Sequence, residues 1–350
     1  MPNDRIFHMT PELAKKTLSA ALRGWLPGQS WQQIRKLIVS RRVMISGNIC
    51  TDEARRLTEN DVIKLLDTAA PKPPQASDLK LHYLDDAVCV LEKPARMTTN
   101  RHKEEEMWSN KRKQIQPTLE ELLPHVIAKI DPKLRKHKGV PPPVRPVHRL
   151  DRETTGLMVF ARTATAESKL AKQFRDHTTA RRYVAIARGD VKPQTIVSHL
   201  VRDRGDGRRG STKNPSVGKR SVTHVKVREK LGEYTLVECK LETGRTHQIR
   251  IHLGELGHPL CGEKVYNIPF NQTPLIDRSG ARRVMLHAFE LGFTHPITGE
   301  RLLFGCEMPN DMATVLNDLR KKGRSGAAKN ETTAQASEKP HPKKSRRDDA

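Results

Sequence analysis

PVHRLDRETTGLMVFAR, residues 146–162, sets a polar turn directly against an apolar run. Leu157, Met158, Val159 and Phe160 follow Gly156 without interruption. A short apolar stretch behind turn residues reads as a strand buried on both faces. The turn carries an acid, Asp151, preceded by His148 and Arg149. Positive charge nearby favours the charged form of a carboxylate, which suits a nucleophile better than a proton donor. The residues alone leave a plainer reading open, because an aspartate near Thr154 and Thr155 also serves as a turn or helix cap.

Outward from this strand, further β-type runs recur at 87–91, 183–187, 222–227, 234–239 and 302–304, with helical stretches at 119–130 and 167–176. That mixture implies an α+β fold with a mostly antiparallel mixed sheet over residues 79–320. Within it, 101–117 and 131–146 are polar, basic and proline-rich and read as surface insertions. Almost no large apolar residue occurs in 321–350, which predicts a disordered basic tail.

Residues 1–68 read as a separate small α/β domain. Thr10, Pro11 and Glu12 predict a helix start, with Leu13, Leu18, Ala21, Leu22 and Trp25 at helical spacing behind it. Pro27-Gly28 ends that helix, and Ser30 with Gln33 predicts a capping box for a second. Ile34, Leu37 and Ile38 form its apolar stripe, with Arg35, Lys36, Arg41 and Arg42 around it. Residues 43–45, a turn at Ser46-Gly47-Asn48 and a run at 62–66 predict strands. Trp25 and Trp31 fall at helix positions, where core packing is the ordinary use. Pro71, Pro73 and Pro74 make 69–78 a stiff, extended linker.

A formal net charge of +24 attracts polyanions, nucleic acid first and an anionic membrane second. Nothing approaches the roughly 20 consecutive apolar residues needed to cross a bilayer. Residues 1–10 lack the apolar core of a secretory signal. The five cysteines are odd in number and widely spaced, which predicts reduced thiols in a cytoplasmic protein.

HRLDRETTG, residues 148–156, resembles the signature of the RluA-type pseudouridine synthases. Other segments resemble the same family in order: DAVCVLEKPA at 86–95, ARRYVA at 180–185 and GRTHQIRIH at 244–252, followed by GHPL at 257–260 and Gly262-Glu263. The resemblance implies the pseudouridine synthase fold and the isomerisation of uridine in structured RNA, ribosomal or transfer. It implies Asp151 as the catalytic carboxylate and Tyr183 as the active-site tyrosine, stacked on an extruded uracil. It also implies an arginine of the third motif paired with Asp151. Arg250, placed after the apolar strand residue Ile249, is the first candidate and Arg245 the second. Arg149, Arg245 and His247 are expected at the substrate. The order of elements in 1–68, with the RRVMISGN turn at 41–48, is similar to the S4-like RNA-binding domain of a ribosomal protein. That likeness implies RNA contacts from Arg35, Lys36, Arg41 and Arg42. Two features depart from the family pattern: Arg96 stands where glycine usually follows Lys-Pro-Ala, and the segment 97–145 is longer and more basic.

Pseudouridine formation is redox-neutral and not a hydrolysis, so no cofactor and no metal are expected, and the protein is expected to act as a monomer. Gly205-x-Gly207-x-x-Gly210 matches the dinucleotide fingerprint literally, but no apolar strand precedes it and no helix pattern follows, so a flexible basic loop is the better reading. His247, His252, His258 and His287 match no helical metal-ligand spacing. A non-catalytic RNA-binding or ribosome-assembly protein would share the charge and the small domain. It would have no need of Asp151, Tyr183 and Arg250 together.

Overall fold

The apolar run after Gly156 becomes a strand because a sheet flanks it on both edges and side chains cover both faces. In the computed structural model, which describes residues 4–46, 48–59, 61–101, 103–131, 133, 141–267 and 275–337, the chain divides into two units, 1–73 and 74–350.

The smaller unit contains β1 (Arg5–His8), α1 (Leu18–Trp25), α2 (Trp31–Val39), β2 (Val43–Ile45), β3 (Asn48–Ile49) and β4 (Val62–Leu65). The strands form an antiparallel sheet in the order β1-β4-β2-β3. Leu18, Ala21, Leu22, Ile34 and Ile38 bury one face of each helix against Val43, Ile63 and Leu65. Ser30 and Gln33 make the expected capping box on α2. The first helix starts later than its sequence suggests. Pro11–Leu13 is a 3-10 turn, Lys15 takes a left-handed conformation at φ 68°, and Thr17 caps α1 by accepting from the Ala20 amide at 3.3 Å. Core packing holds for Trp25, which stacks on Phe7 at 5.0 Å, but not for Trp31, which is 56 % exposed beneath Arg23. Gly47 of the expected turn lies outside the described residues.

The larger unit runs β5 (Lys80–Leu84), β6 (Val88–Lys93), α3 (Lys103–Glu106), α4 (Asn110–Ile115), α5 (Leu119–Ile130), β7 (Arg145–Pro146), β8 (Thr155–Ala161), α6 (Ala164–Arg175), β9 (Ala180–Arg188), β10 (Gln194–Val201), β11 (Gly210–Thr212), β12 (Lys219–Lys230), β13 (Tyr234–Leu241), α7 (Gln248–Glu255), β14 (Leu286–Thr294), β15 (Arg301–Gly305) and α8 (Asn310–Ser337). Among the described residues eleven strands form one sheet with the central order β11-β10-β12-β13-β9-β14-β8-β6-β5. The β8–β14 pair is parallel and the other recorded pairs are antiparallel.

Alternation along the strands divides the core. Met158, Phe160, Tyr183, Ala185 and Cys239 pack with Leu119 and Leu123 of α5 and Ile249 and Leu253 of α7. Val159, with Ala166 and Leu170 of α6, and Val184 and Ile186, with Met312 and Leu316 of α8, form further clusters. Gly156 is required where β8 meets β14. Its φ is 120°, and a Cβ there would lie 2.2 Å from the Ala288 carbonyl oxygen.

Two expectations are corrected. Arg250 lies on the helix α7, not behind a strand residue. The alternation Ile249-Arg250-Ile251-His252-Leu253 mimics a strand, but Gln248 through Gly254 are all buried, so no polar face betrays the helical period. The tail also differs: α8 continues through Ser337, so the backbone of 321–337 is helical and not disordered. Met312, Leu316 and Leu319 anchor the first turns, which meets the nucleation cost, and no proline interrupts the helix. Residues 338–350 lie outside the described residues.

Candidate active site

The backbone around Asp151 is pinned on both sides. The Leu150 amide donates to Thr99 Oγ1 at 3.3 Å, and the Arg152 carbonyl accepts from Arg96 N at 2.7 Å and Lys93 Nζ at 3.3 Å. The Glu153 carbonyl accepts from Arg283 Nη1 at 3.2 Å. Lys93 is fully buried and also donates to the carbonyls of Pro94 and Met97 at 2.9 and 2.8 Å. Burial pulls its pKa down to about 7, against the opposing pull of Asp151 and Glu153. Arg96 takes a left-handed conformation at φ 66°, which explains why glycine suits that position. Lys93 and Arg96 thus hold the Asp151 turn through peptide carbonyls that no side-chain pattern reveals.

The Asp151 side chain is 15 % exposed, with Oδ2 3.3 Å from Arg250 Nη1 and Oδ1 3.8 Å from His247 Nε2. Arg250 is shared between two carboxylates. Its Nε and Nη2 donate to Glu263 at 2.7 and 2.8 Å. The Glu263 side chain is fully buried, and its Oε1 also accepts the amides of Lys264, Val265 and Tyr266. Burial works against the guanidinium charge, but the hydrogen bond and charge of Glu263, then Asp151, outweigh it and raise the Arg250 pKa. Arg250 lies over the Tyr266 ring at 5.3 Å, and Tyr266 Oη is 2.8 Å from His247 Nδ1. Burial lowers the His247 pKa against the pull of Asp151.

Asp151, Tyr183, Arg250, Arg149, Arg245 and His247 all line one cleft of about 380 Å³. Tyr183 is nearly buried on β9, and burial pushes its phenol up to about 12. An aromatic face beside a carboxylate and exposed arginines suits a flat, anionically tethered ligand such as an extruded nucleotide. Arg181, Glu263 and Tyr266 join the site without a sequence signal of their own chemistry. Arg181 lines the cleft and donates to the Glu242 carbonyl at 2.7 Å. In the sequence, Glu263 is marked only by the Gly262-Glu263 match. His148 is structural: it accepts the Val159 amide at 3.0 Å and stacks on Phe174. His252 and His287 are likewise engaged, with Thr223 and Thr155.

The basic residues of α2 and of the turn that follows it belong to the smaller unit. Arg35 pairs with Glu53 at 2.7 Å, Arg41 donates to the carbonyls of Ala70 and Pro71, and Arg42 donates to the Leu66 carbonyl. Lys36 is exposed.

The family model described as RNA pseudouridylate synthase matches residues 87–255, which include Asp151, Tyr183 and Arg250. The chain is 34 % identical over 328 residues to the ribosomal large subunit pseudouridine synthase D of Zymomonas mobilis, covering 91 % of this chain and 98 % of that one. It belongs to the RNA pseudouridylate synthase family. The synthase is also 32 % identical to the ribosomal large subunit pseudouridine synthase D of Neisseria meningitidis serogroup B, over 88 % of this chain and 80 % of the other. An uncharacterized RNA pseudouridine synthase of Bacillus subtilis, YlyB, is 35 % identical over 70 % of this chain and 74 % of its own. The solved structure of human RNA pseudouridylate synthase domain containing 4 shares the fold, with a TM-score of 0.55 and 22 % identity over 70 % of this chain and 95 % of that one. The synthase is therefore an RNA-modifying isomerase with a mixed α/β, mostly antiparallel catalytic domain.

Proposed function

We propose that the synthase isomerises specific uridines of large-subunit ribosomal RNA, with Asp151 as the catalytic carboxylate. The observation that carries the assignment is the unequal sharing of Arg250. Glu263 fixes the guanidinium, leaving Asp151 in the cleft with one long hydrogen bond from Arg250 and with His247 at 3.8 Å. The ribosomal target rests on the names of the relatives in Zymomonas and Neisseria.

The reaction breaks the bond between ribose C1′ and uracil N1, turns the base, and joins C1′ to C5, which then loses its proton. Asp151 starts it by adding to the base, by adding to the sugar, or by taking the 2′ proton to give a glycal. Tyr183 stacks on the uracil and bounds its rotation, and its neutral phenol is placed to pass a proton. Arg250 holds Asp151 in position, while Arg149, Arg245 and His247 contact the nucleotide. The net reaction needs no external oxidant or reductant, so activity is expected to survive exhaustive chelation and dialysis.

Residues 1–68 act as an S4-like RNA-binding domain, and the enzyme works as a cytoplasmic monomer. Mapping pseudouridines in RNA from cells with and without the gene tests the target. Loss of sites in large-subunit ribosomal RNA supports the proposal, and loss confined to transfer RNA overturns it.

A further inference from the structure

Beside the cleft holding Asp151 lies a second, of about 620 Å³, and the two share Gly244, Arg245 and Thr246 as a common wall. Leu200, Arg202, Asp203, Arg209, Val217 and Lys219 line the rest of it. Its cations differ from those around them. Arg204 is committed to Asp206 and Glu255, Arg220 to Glu242, and Arg228 to Glu238. Among the described residues, no ion pair is recorded for Arg202, Arg209, Lys219 or Arg245. The acid in the lining is already engaged, since Asp203 Oδ1 accepts the amides of Gly205 and Gly207 at 2.8 and 2.9 Å.

Those two bonds shape the turn between β10 and β11, and the turn sets Arg202 and Arg209 at its two ends. The glycine pattern at 205–210 therefore serves turn geometry. Lys219 faces Leu200 across the β10–β12 pair. Following the registers through Val225, Cys239 and Tyr183 puts Lys219 on the same face of the sheet as the active-site tyrosine. Val217, 68 % exposed, adds an apolar patch to this wall.

We infer that this second cleft seats the RNA strand flanking the target nucleotide, with Arg202, Arg209 and Lys219 on its phosphodiesters and Arg245 at the junction. The inference rests on the proposed reaction at Asp151. A nucleotide turned into the Asp151 cleft stays tethered to its neighbours, so the strand must leave over a rim. The shared Gly244–Thr246 wall opens directly onto unpaired cations. Positively charged grooves follow backbones in this way, with modest sequence preference.

The test compares Arg202→Ala/Arg209→Ala with Lys226→Ala/Lys240→Ala, which removes the same charge from the opposite face of the sheet. Both are assayed for uridine conversion on a large-subunit ribosomal RNA fragment and on an RNA trimmed to a few nucleotides around the target. The cleft variant is expected to raise KM on the long RNA about tenfold while kcat stays within about twofold, and to lower the salt slope of binding by about 1.4. On the trimmed RNA the two variants converge. Equal KM and salt slope for both variants on the long RNA would overturn the inference alone. No conversion by the unaltered enzyme would overturn the functional reading and the inference with it.

Discussion

Asp151 and Glu263 bind the same guanidinium and are built for opposite purposes. Glu263 is sealed from solvent, takes two hydrogen bonds from Arg250, and takes three more from backbone amides. Asp151 has one contact to Arg250 at 3.3 Å and opens to the cleft. A carboxylate sealed from the cleft and held by a guanidinium and backbone amides cannot reach a ligand, whereas an under-coordinated one on a rigid turn can. The buried pair supplies position, and Asp151 is left open to the cleft.

Removing the shared group strikes both. Arg250→Ala should leave Glu263 as an uncompensated buried charge, costing about 3–5 kcal/mol of stability, and should also release Asp151. Thermal unfolding should drop by several degrees and turnover should fall to background. A variant with an unchanged melting temperature would show that the pair holds nothing.

Glu263→Gln separates the two purposes. It keeps an acceptor for the backbone amides but loses the charge opposite Arg250, costing about 2–3 kcal/mol. With Asp151 intact but Arg250 less fixed, kcat should fall about ten- to a hundredfold with little change in KM. A rise in KM at constant kcat would mean that Glu263 shapes binding and not the position of Asp151.

Acid sharpens the contrast between structural and reactive polar groups. His148 is held down to about 3, chiefly by burial, and burial holds His252 and His287 to about 4. Below about pH 6.5 the unfolded chain binds protons that the folded chain refuses until about pH 4 to 3, so stability is full above that window and declines as pH falls through it. Each histidine contributes up to about 1.4 kcal/mol per pH unit. Melting curves at pH 7, 6, 5 and 4 should fall progressively, and a flat profile would remove the buried neutral histidines from the account.

The smallest effect lies behind Asp151. Arg96→Gly relieves a left-handed side chain while keeping the Arg96 amide bond to Arg152, and should stabilise by about 0.5–1 kcal/mol. Destabilisation would mean that the arginine side chain contributes more than its backbone strain costs.

The same contrast marks what the sequence makes legible. Strand β8 is readable because it is buried on every side, so its apolar run is continuous. Helix α7 is buried too, but its polar residues are matched to distant partners, so the helical period vanishes into an alternation that imitates a strand. Asp151 carries a local motif around itself. Glu263 has its meaning only through Arg250, thirteen positions away on another element, and spacing does not encode that pairing. The arginines of α2 and of the turn after it are half legible. Their charge is visible in sequence, but the partners that occupy Arg35, Arg41 and Arg42 are visible only in the fold.

On the proposed mechanism Asp151 carries the chemistry and Glu263 only the geometry. Single-turnover conversion by Asp151→Asn, with enzyme in excess over a large-subunit ribosomal RNA fragment, tests it most directly, with RNA affinity and melting temperature measured on the same preparation. This variant should give no detectable pseudouridine, an affinity within about twofold of the unaltered enzyme, and a melting temperature at least as high as that of Glu263→Gln. Product formed at more than about a hundredth of the original rate, by a folded variant that binds RNA normally, would contradict it.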